Sequence, residues 1–458
     1  MTVASGRPRP VRRGLTDFSL PVTRADLDDL ADIAGTADWL AADRHAAFDL
    51  FEALPAESNL LYTTYIDLRA VALEAATLVR TPRTVRVVTD LPPDTDGLLV
   101  VDEGDVTEAA LSPDAMAAGV ELTTIADLAA RAPGRVRELL DGGGDLPADD
   151  RFAQLTRALW SQGVVLDIPA GVRLARPIIV RWRAGAPDRA LLSRTVIALG
   201  DGASATVLEE LVASDASAPD AAQSFLAGTL EVRLGRDARL EVSSLQELPA
   251  STIAFQHRAA RIGEGATLHW ALAQLGCRLV RSRVDNHLAG DRGSVEQVEI
   301  VFGGGDQLFD LTSYTHHAGR DTTGNLLSKG ALLDRARSFL KGMIVIDRSA
   351  VGTDSFLGEF GMNLSKSTRS VAIPSLEIDQ PDCRRAAHAS SVGPIDETQL
   401  FYLESRGIPP DEARKFIVMG FLEPVVARVP LAEAQDRLRA LLEAKWDAGL
   451  DTGADAAA

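Results

Sequence analysis

Apolar positions along this chain follow helical spacing, then alternation, then helical spacing again. From Leu15 to Leu73 the pattern is largely helical: in WLAADRHAAFDLFEALP, the residues Leu40, Ala47, Phe51 and Leu54 line one helix face. Short strand signals follow, TVRVVTD and GLLVVDEG, separated by the turn-rich LPPDTDG. A helical run, LTTIADLAARAPGRVRELLDGGG, is then stopped by three glycines. Residues 1–150 thus read as a helical and mixed N-terminal cap.

From about Gly163 the alternation becomes strand-like and stays so for more than 200 residues, as in GVVLDIPAGVRLARPIIVRW. One phrase recurs inside it: ALGDGASATVLE, RLGRDARLEVSS, RIGEGATLHWAL and LAGDRGSVEQVE. Each is an apolar strand end, a glycine turn and a new alternating strand. The anchoring glycines, Gly200, Gly235, Gly263 and Gly290, lie 27 to 35 residues apart, a spacing that signals a solenoid. The fold class expected is mainly β, a parallel β-helix over residues 151–393 whose inward side chains stack into one core. Its end rungs need covering, and helical caps on both sides would supply that. A large β-sandwich or barrel with coincidental glycine turns is the alternative.

After Gly393 the period is helical again, which defines a C-terminal helical domain at 394–458. Asp396 is placed to cap a helix through ETQLFYLESRG, a second helix opens at PPDEARKFIVMG, and LAEAQDRLRALLEAKW forms a third. Phe416, Ile417, Leu438, Leu441 and Leu442 are the expected inward residues. Periodicity alone leaves open whether this segment is a core-forming cap or a docking surface.

Charge and composition then exclude several functions. The formal charge of −18 over 458 residues repels nucleic acid and anionic lipid. No run of about 18 apolar residues suggests a membrane span, and MTVASGRPRPVRRGL has no apolar stretch behind its basic residues, so a cytosolic location is expected. Two cysteines, Cys277 and Cys383, cannot make a four-thiolate metal site. FGGGDQ and FLKGMIV do not complete a phosphate loop, and neither a nucleophile elbow nor a His-Glu-x-x-His motif is present. The chain should not hydrolyse ATP.

Among the histidines, His316 and His317 are adjacent, so in a strand they point to opposite faces and cannot share one ion. His257, His269 and His287 are scattered across rungs. His388 remains, in IPSLEIDQPDCRRAAHASSVG, where strand-like sequence gives way to helix-like sequence. Pro374 and Pro381 bracket SLEIDQ as an edge rung just before it. By spacing alone His388 is either a structural junction residue or a ligand or base.

The run THHAGRDTTGNLLSKGALLDRARSFLKGMIVIDRSAVGTDSF, with NLSKSTRSVAIPSLEI, HASSVGPIDETQLFYLESRGI and ARKFIVMGF, resembles the SufB/SufD family of the SUF iron-sulfur cluster assembly system. It is closest to the SufD branch. Weaker similarity extends through LTRALWSQGVVLDIPAGVRLARPIIV, so the family covers most of the chain. The resemblance implies a right-handed parallel β-helix between helical caps, acting as a non-catalytic scaffold. It implies pairing with a SufB-like subunit and docking of the SufC-like ATPase through the C-terminal helices. The family's functional histidine falls on His388, a transient iron or cluster ligand at the SufB interface. No cofactor is expected to bind stably to this chain alone, the nascent cluster being shared with SufB. Two departures matter. The family's cysteine two positions before the histidine is Ala386, and Cys383, five before it, cannot share the histidine's strand face. Ala389 stands where SufB-like chains carry a glutamate. Whether the isolated chain forms a homodimer is left open, as are two other readings: a β-helix enzyme acting on polysaccharide, and a purely structural subunit.

Overall fold

The computed structural model describes residues 14–30, 37–80, 84–87, 90–140, 145–218, 222–429 and 432–453. Strands dominate, and they are built by the recurring phrase. From Gln162–Ile168 to Arg385–Gly393, sixteen strands alternate between two sheets, the interior ones pairing in parallel with the strand one turn before and one turn after. The result is a parallel β-solenoid of about eight turns with helices at both ends. The first sheet runs from Glu121–Thr124 to Arg369–Ile378, and the second from Thr84–Val87 to Arg385–Gly393.

The glycine at the start of each phrase is required by stacking. A Cβ on Gly263 would lie 2.5 Å from the carbonyl oxygen of Leu234, and one on Gly290 only 2.1 Å from the backbone nitrogen of Glu264. Turns of successive rungs therefore touch backbone to backbone. Two residues after each such glycine comes a left-handed position, filled by Gly202, Asp237, Gly265, Arg292 and Asp321. Each donates its N–H to a carbonyl of the next turn at 2.7 to 2.8 Å, and Gly352 continues this ladder to Asp382.

Alternate residues of each strand face the lumen, where Leu, Ile, Val and Trp from both sheets form the main core. His317 follows this rule and His316 its opposite, as the sequence predicts. His317 is buried between Thr322 Oγ1 at 2.8 Å and Ser355 Oγ at 3.0 Å, whereas His316 stacks outside on His287 with ring centroids 5.0 Å apart. Burial, with His316 adding to it, holds the His317 imidazole down at about 4, against an ordinary 6.5. It is neutral when folded and takes its proton only on unfolding. Its contribution is therefore full above about pH 6.5 and is lost as pH falls toward 4, in all about 3 kcal/mol. We expect the stability advantage of the wild type over His317→Gln in urea unfolding to shrink by about that amount between pH 7 and pH 4. A constant difference would show that His317 is not buried neutral.

The N-terminal region is less helical than its periodicity suggests. Among the described residues before 73 its helices are Ala25–Asp28, Ala37–Ala53 and a short 3-10 turn, Thr63–Tyr65, and residues 54–62 form no regular element. Leu40, Ala47 and Phe51 are buried as expected, while Leu54 is half-buried. Together with helix Arg151–Leu159 these segments cover the outer face of the first sheet, Phe48 and Phe152 packing in one cluster with Phe225 and Phe255. The single helix expected after residue 121 is instead a strand, Glu121–Thr124, and two helices, Ile125–Arg131 and Pro133–Leu140. Pro133 causes the break: it disfavours helical geometry in the preceding residue, and Ala132 has φ −142° and ψ 65°.

The three C-terminal helices, Glu397–Ser405, Pro410–Val426 and Ala432–Gly453, form where expected, the first capped by Asp396, whose Oδ1 accepts from Thr398 N at 2.8 Å. Val418, Leu422, Leu438, Leu442 and Trp446 pack on the outer face of the second sheet against Leu245, Val298 and Phe302. Leu441 and Ile417 are half-buried. Phe416 is the exception, with 68% of its surface exposed. It lies two residues before Val418, about 200° around the helix, and therefore on the face turned away from the sheet.

Candidate functional site at the open end of the solenoid

The last rung consists of Arg369–Ile378 and Arg385–Gly393, each the terminal strand of its sheet. Among the described residues nothing pairs with their outer edges. A terminal strand keeps a row of unpaired N–H and C=O groups, and its lumen-facing side chains have no further rung above them. These side chains follow from register. Ser355, Leu357, Glu359 and Gly361 align with Ala386, His388, Ser390 and Val392, while Ser338, Leu340, Gly342, Ile344 and Ile346 align with Ser370, Ala372, Pro374, Leu376 and Ile378. Ile378 and Val392 are consequently exposed, at 44% and 39%.

His388 ends a column that passes through Trp270, Gln297, Leu326 and Leu357. Leu357 directly beneath it is fully buried with Leu326, Ile344 and Ile346, and Leu376 and Ala386 pack partly against that cluster. The imidazole thus stands on an apolar floor at an otherwise open mouth. It is exposed, and no hydrogen bond or ion pair holds it among the described residues. The structure places Ala386 on the same inward face as His388. Cys383 lies off that face, half-buried in the turn before the strand, directly after Asp382 where the turn ladder ends. The arginines beside it are engaged elsewhere: Arg384 Nη2 lies 2.5 Å from Asp321 and Arg385 Nη2 2.6 Å from Asp354.

Glu359, one rung below Ser390, is a member of this site that the sequence analysis did not single out. It is buried, and its Oε2 accepts from the N–H of Ile373 on the terminal strand of the other sheet at 2.8 Å. Burial pushes its pKa up to about 8, against the opposing pull of the Ile373 N–H and Lys341. The signal was present in SFLGEFG, where alternation puts Glu359 on the same face as Ser355 and Leu357.

Beside the open end, the first two C-terminal helices and the edge of the second sheet border an open apolar groove of about 830 Å³, lined by Phe360, Met362, Tyr402, Phe416, Ile417 and Phe421. Phe401 and Tyr402 are exposed at 71% and 56%. Among the described residues no group of three or more His, Cys, Asp or Glu side chains is arranged to hold a metal ion. No described helix is long and apolar enough to cross a membrane.

Residues 182–421 match the family model for the SufBD core domain of SUF-system iron-sulfur cluster assembly. The chain is 28% identical over 362 residues to the iron-sulfur cluster assembly protein SufD of Bacillus subtilis, covering 79% of this chain and 82% of that protein. It is 27% identical over 292 residues to a SufBD family protein of Staphylococcus saprophyticus, covering 64% of this chain and 62% of the relative. A SufBD family protein of Mycobacterium tuberculosis is 33% identical over 213 residues, covering 45% of this chain and 54% of the relative. The match thus takes in less than two thirds of the length of the last two relatives and most of the first.

Proposed function

Because this chain belongs to the SufBD family of the SUF iron-sulfur cluster assembly system, we propose that it is a SufD-like scaffold subunit whose open end joins a SufB-like subunit. The observation that carries the reading is the position of His388, at the top of an inward column on a rung that no other described strand covers. Two terminal strands with free edges suit continuation of both sheets by a partner solenoid. His388 then lies inside the join, on the apolar floor made by Leu357. A neutral imidazole is a borderline ligand for iron. Thiolates come from the partner, and the iron and sulfide are cargo that the two chains hold between them. Residues 151–393 act as the rigid core and 394–458 as the docking domain. In this reading the subunit works in the cytoplasm and catalyses no reaction of its own.

The second contact in this reading is with a SufC-like ATPase, which docks on the C-terminal helices. Phe401, Tyr402 and Phe416 support it: three exposed aromatic side chains on two adjacent helices form the kind of anchor cluster that dominates protein interfaces. Phe416 makes a clean test because it faces away from the core. Phe416→Asp should leave thermal unfolding unchanged and reduce co-purification of the ATPase at least about tenfold, as expected for loss of an aromatic anchor. Undiminished co-purification would place the dock elsewhere. Joint purification of this chain with SufB-like and SufC-like subunits tests the assembly as a whole.

A further inference from the structure

We propose that Glu359 is a second ligand at the open end, so that this chain presents a ferrous ion with a carboxylate–imidazole pair, Glu359 and His388, instead of one imidazole. This inference rests on the reading of the open end as a cargo site.

The first argument is register. Leu357 aligns with His388 and Glu359 with Ser390, so Glu359 and His388 are diagonal neighbours on the lumen face of adjacent rungs. With strands about 4.8 Å apart and about 3.3 Å per residue, their Cα atoms lie about 8 Å from one another. A separation of about 8 Å is within the combined reach of a glutamate and a histidine side chain around one ion. The residue in register above Glu359 is Ser390, which is small.

The second argument is charge. Other buried acids in this protein are matched by cations: Glu231 by Arg194 at 2.7 Å, Glu209 by Arg258 at 2.9 Å, Asp310 by Lys341 at 2.5 Å. Glu359 has no ion-pair partner among the described residues. A buried carboxylate without a counter-charge is strongly disfavoured, so the group either keeps its proton or meets a cation. Burial raises its pKa and so favours the first state, and a divalent ion entering from the mouth would supply the second. Glu299, also buried, differs in being deep in the lumen and held by Gln274 at 3.2 Å and Ser282 at 3.0 Å.

The third argument is orientation. The Ile373 N–H holds Oε2, a second-shell bond that fixes the carboxyl plane while Oε1 is left to ligate. The fold makes room for this group: a Cβ at Gly342 would sit 2.8 Å from Oε1 and 2.5 Å from Leu357 Cδ2. Oxygen and nitrogen donors together suit ferrous iron before sulfide and partner thiolates arrive.

The test is anaerobic titration of the full chain with Co²⁺ as the spectroscopic probe, comparing wild type, Glu359→Gln and His388→Ala. Glutamine keeps an acceptor for the Ile373 N–H and removes the ionisable oxygen, so its thermal midpoint should not fall. Each single variant is expected to weaken Co²⁺ binding by about 10- to 100-fold, and the double variant to be little worse than either single one. Weakening by His388→Ala with wild-type affinity in Glu359→Gln would overturn the role of Glu359 and leave the reading of His388 standing. Equal binding by all three proteins would overturn both.

Discussion

Cells that depend on this pathway should lose cluster assembly, or nearly so, when His388 is replaced by alanine, although the variant protein folds and still associates with its partners. The expectation follows from what His388 does not do. It has no hydrogen bond or ion pair among the described residues, and its strand is held by backbone pairing along Asp354–Asn363, which alanine preserves. Removing the imidazole therefore costs the fold little and deletes the nitrogen donor at the mouth. Cys383→Ser should be nearly silent by the same logic, since Cys383 sits in the turn and off the inward face. Growth complementation, with a pull-down of the partner subunits as the assembly control, checks both. Full complementation by His388→Ala would make the junction purely structural; failure of Cys383→Ser alone would mean that the turn thiol is the functional group.

The largest effect on stability should come from Asp150→Ala, at about 3 to 5 kcal/mol. Asp150 joins the N-terminal region to the first sheet. Its Oδ1 caps helix Arg151–Leu159 by accepting from Phe152 N at 2.9 Å and Ala153 N at 3.0 Å. The same carboxylate takes Arg281 at 2.9 Å and His257 at 2.9 Å, with Arg283 at 3.4 Å. Burial by itself would raise its pKa, but Arg281, His257 and Arg283 hold it well below the usual carboxylate range. A depressed folded pKa means stabilisation that is fully present above about pH 4 and lost only as pH falls through the folded value. Alanine leaves two buried guanidinium groups short of a counter-charge and the helix without its cap. Urea unfolding at pH 7 measures the deficit; a difference below about 1 kcal/mol would show that the neighbouring acids Glu57, Asp285 and Asp310 compensate.

What could be read from the sequence was whatever a local repeat dictates. The glycines at 200, 235, 263 and 290 announced the solenoid because backbone stacking forbids a Cβ there, a constraint that recurs from rung to rung as far as Gly319. Asp396 as a cap and the opposite faces of His316 and His317 were legible for the same reason, being set by neighbours in sequence. Phe416 was misplaced because the apolar run around it offers more than one helix face, and only the sheet it packs on selects Val418 and Leu422. The irregular stretch between Ala37–Ala53 and Thr63–Tyr65 likewise owes its conformation to the sheet it covers. At the site, His388 was found through family resemblance and Glu359 was not, because a glutamate in an alternating strand becomes unusual only once the register shows it buried one rung below an open end.

The central claim is that the open end of the solenoid is the face that joins a SufB-like partner. Hydrogen–deuterium exchange on the full chain, alone and in complex with that partner, tests it most directly, because edge-strand amides exchange freely until another strand or surface covers them. The account predicts strong new protection in both terminal strands, Arg369–Ile378 and Arg385–Gly393, His388 included, with earlier rungs unchanged. Unaltered exchange in these two strands, with protection confined to the C-terminal helices or the N-terminal region, would contradict it.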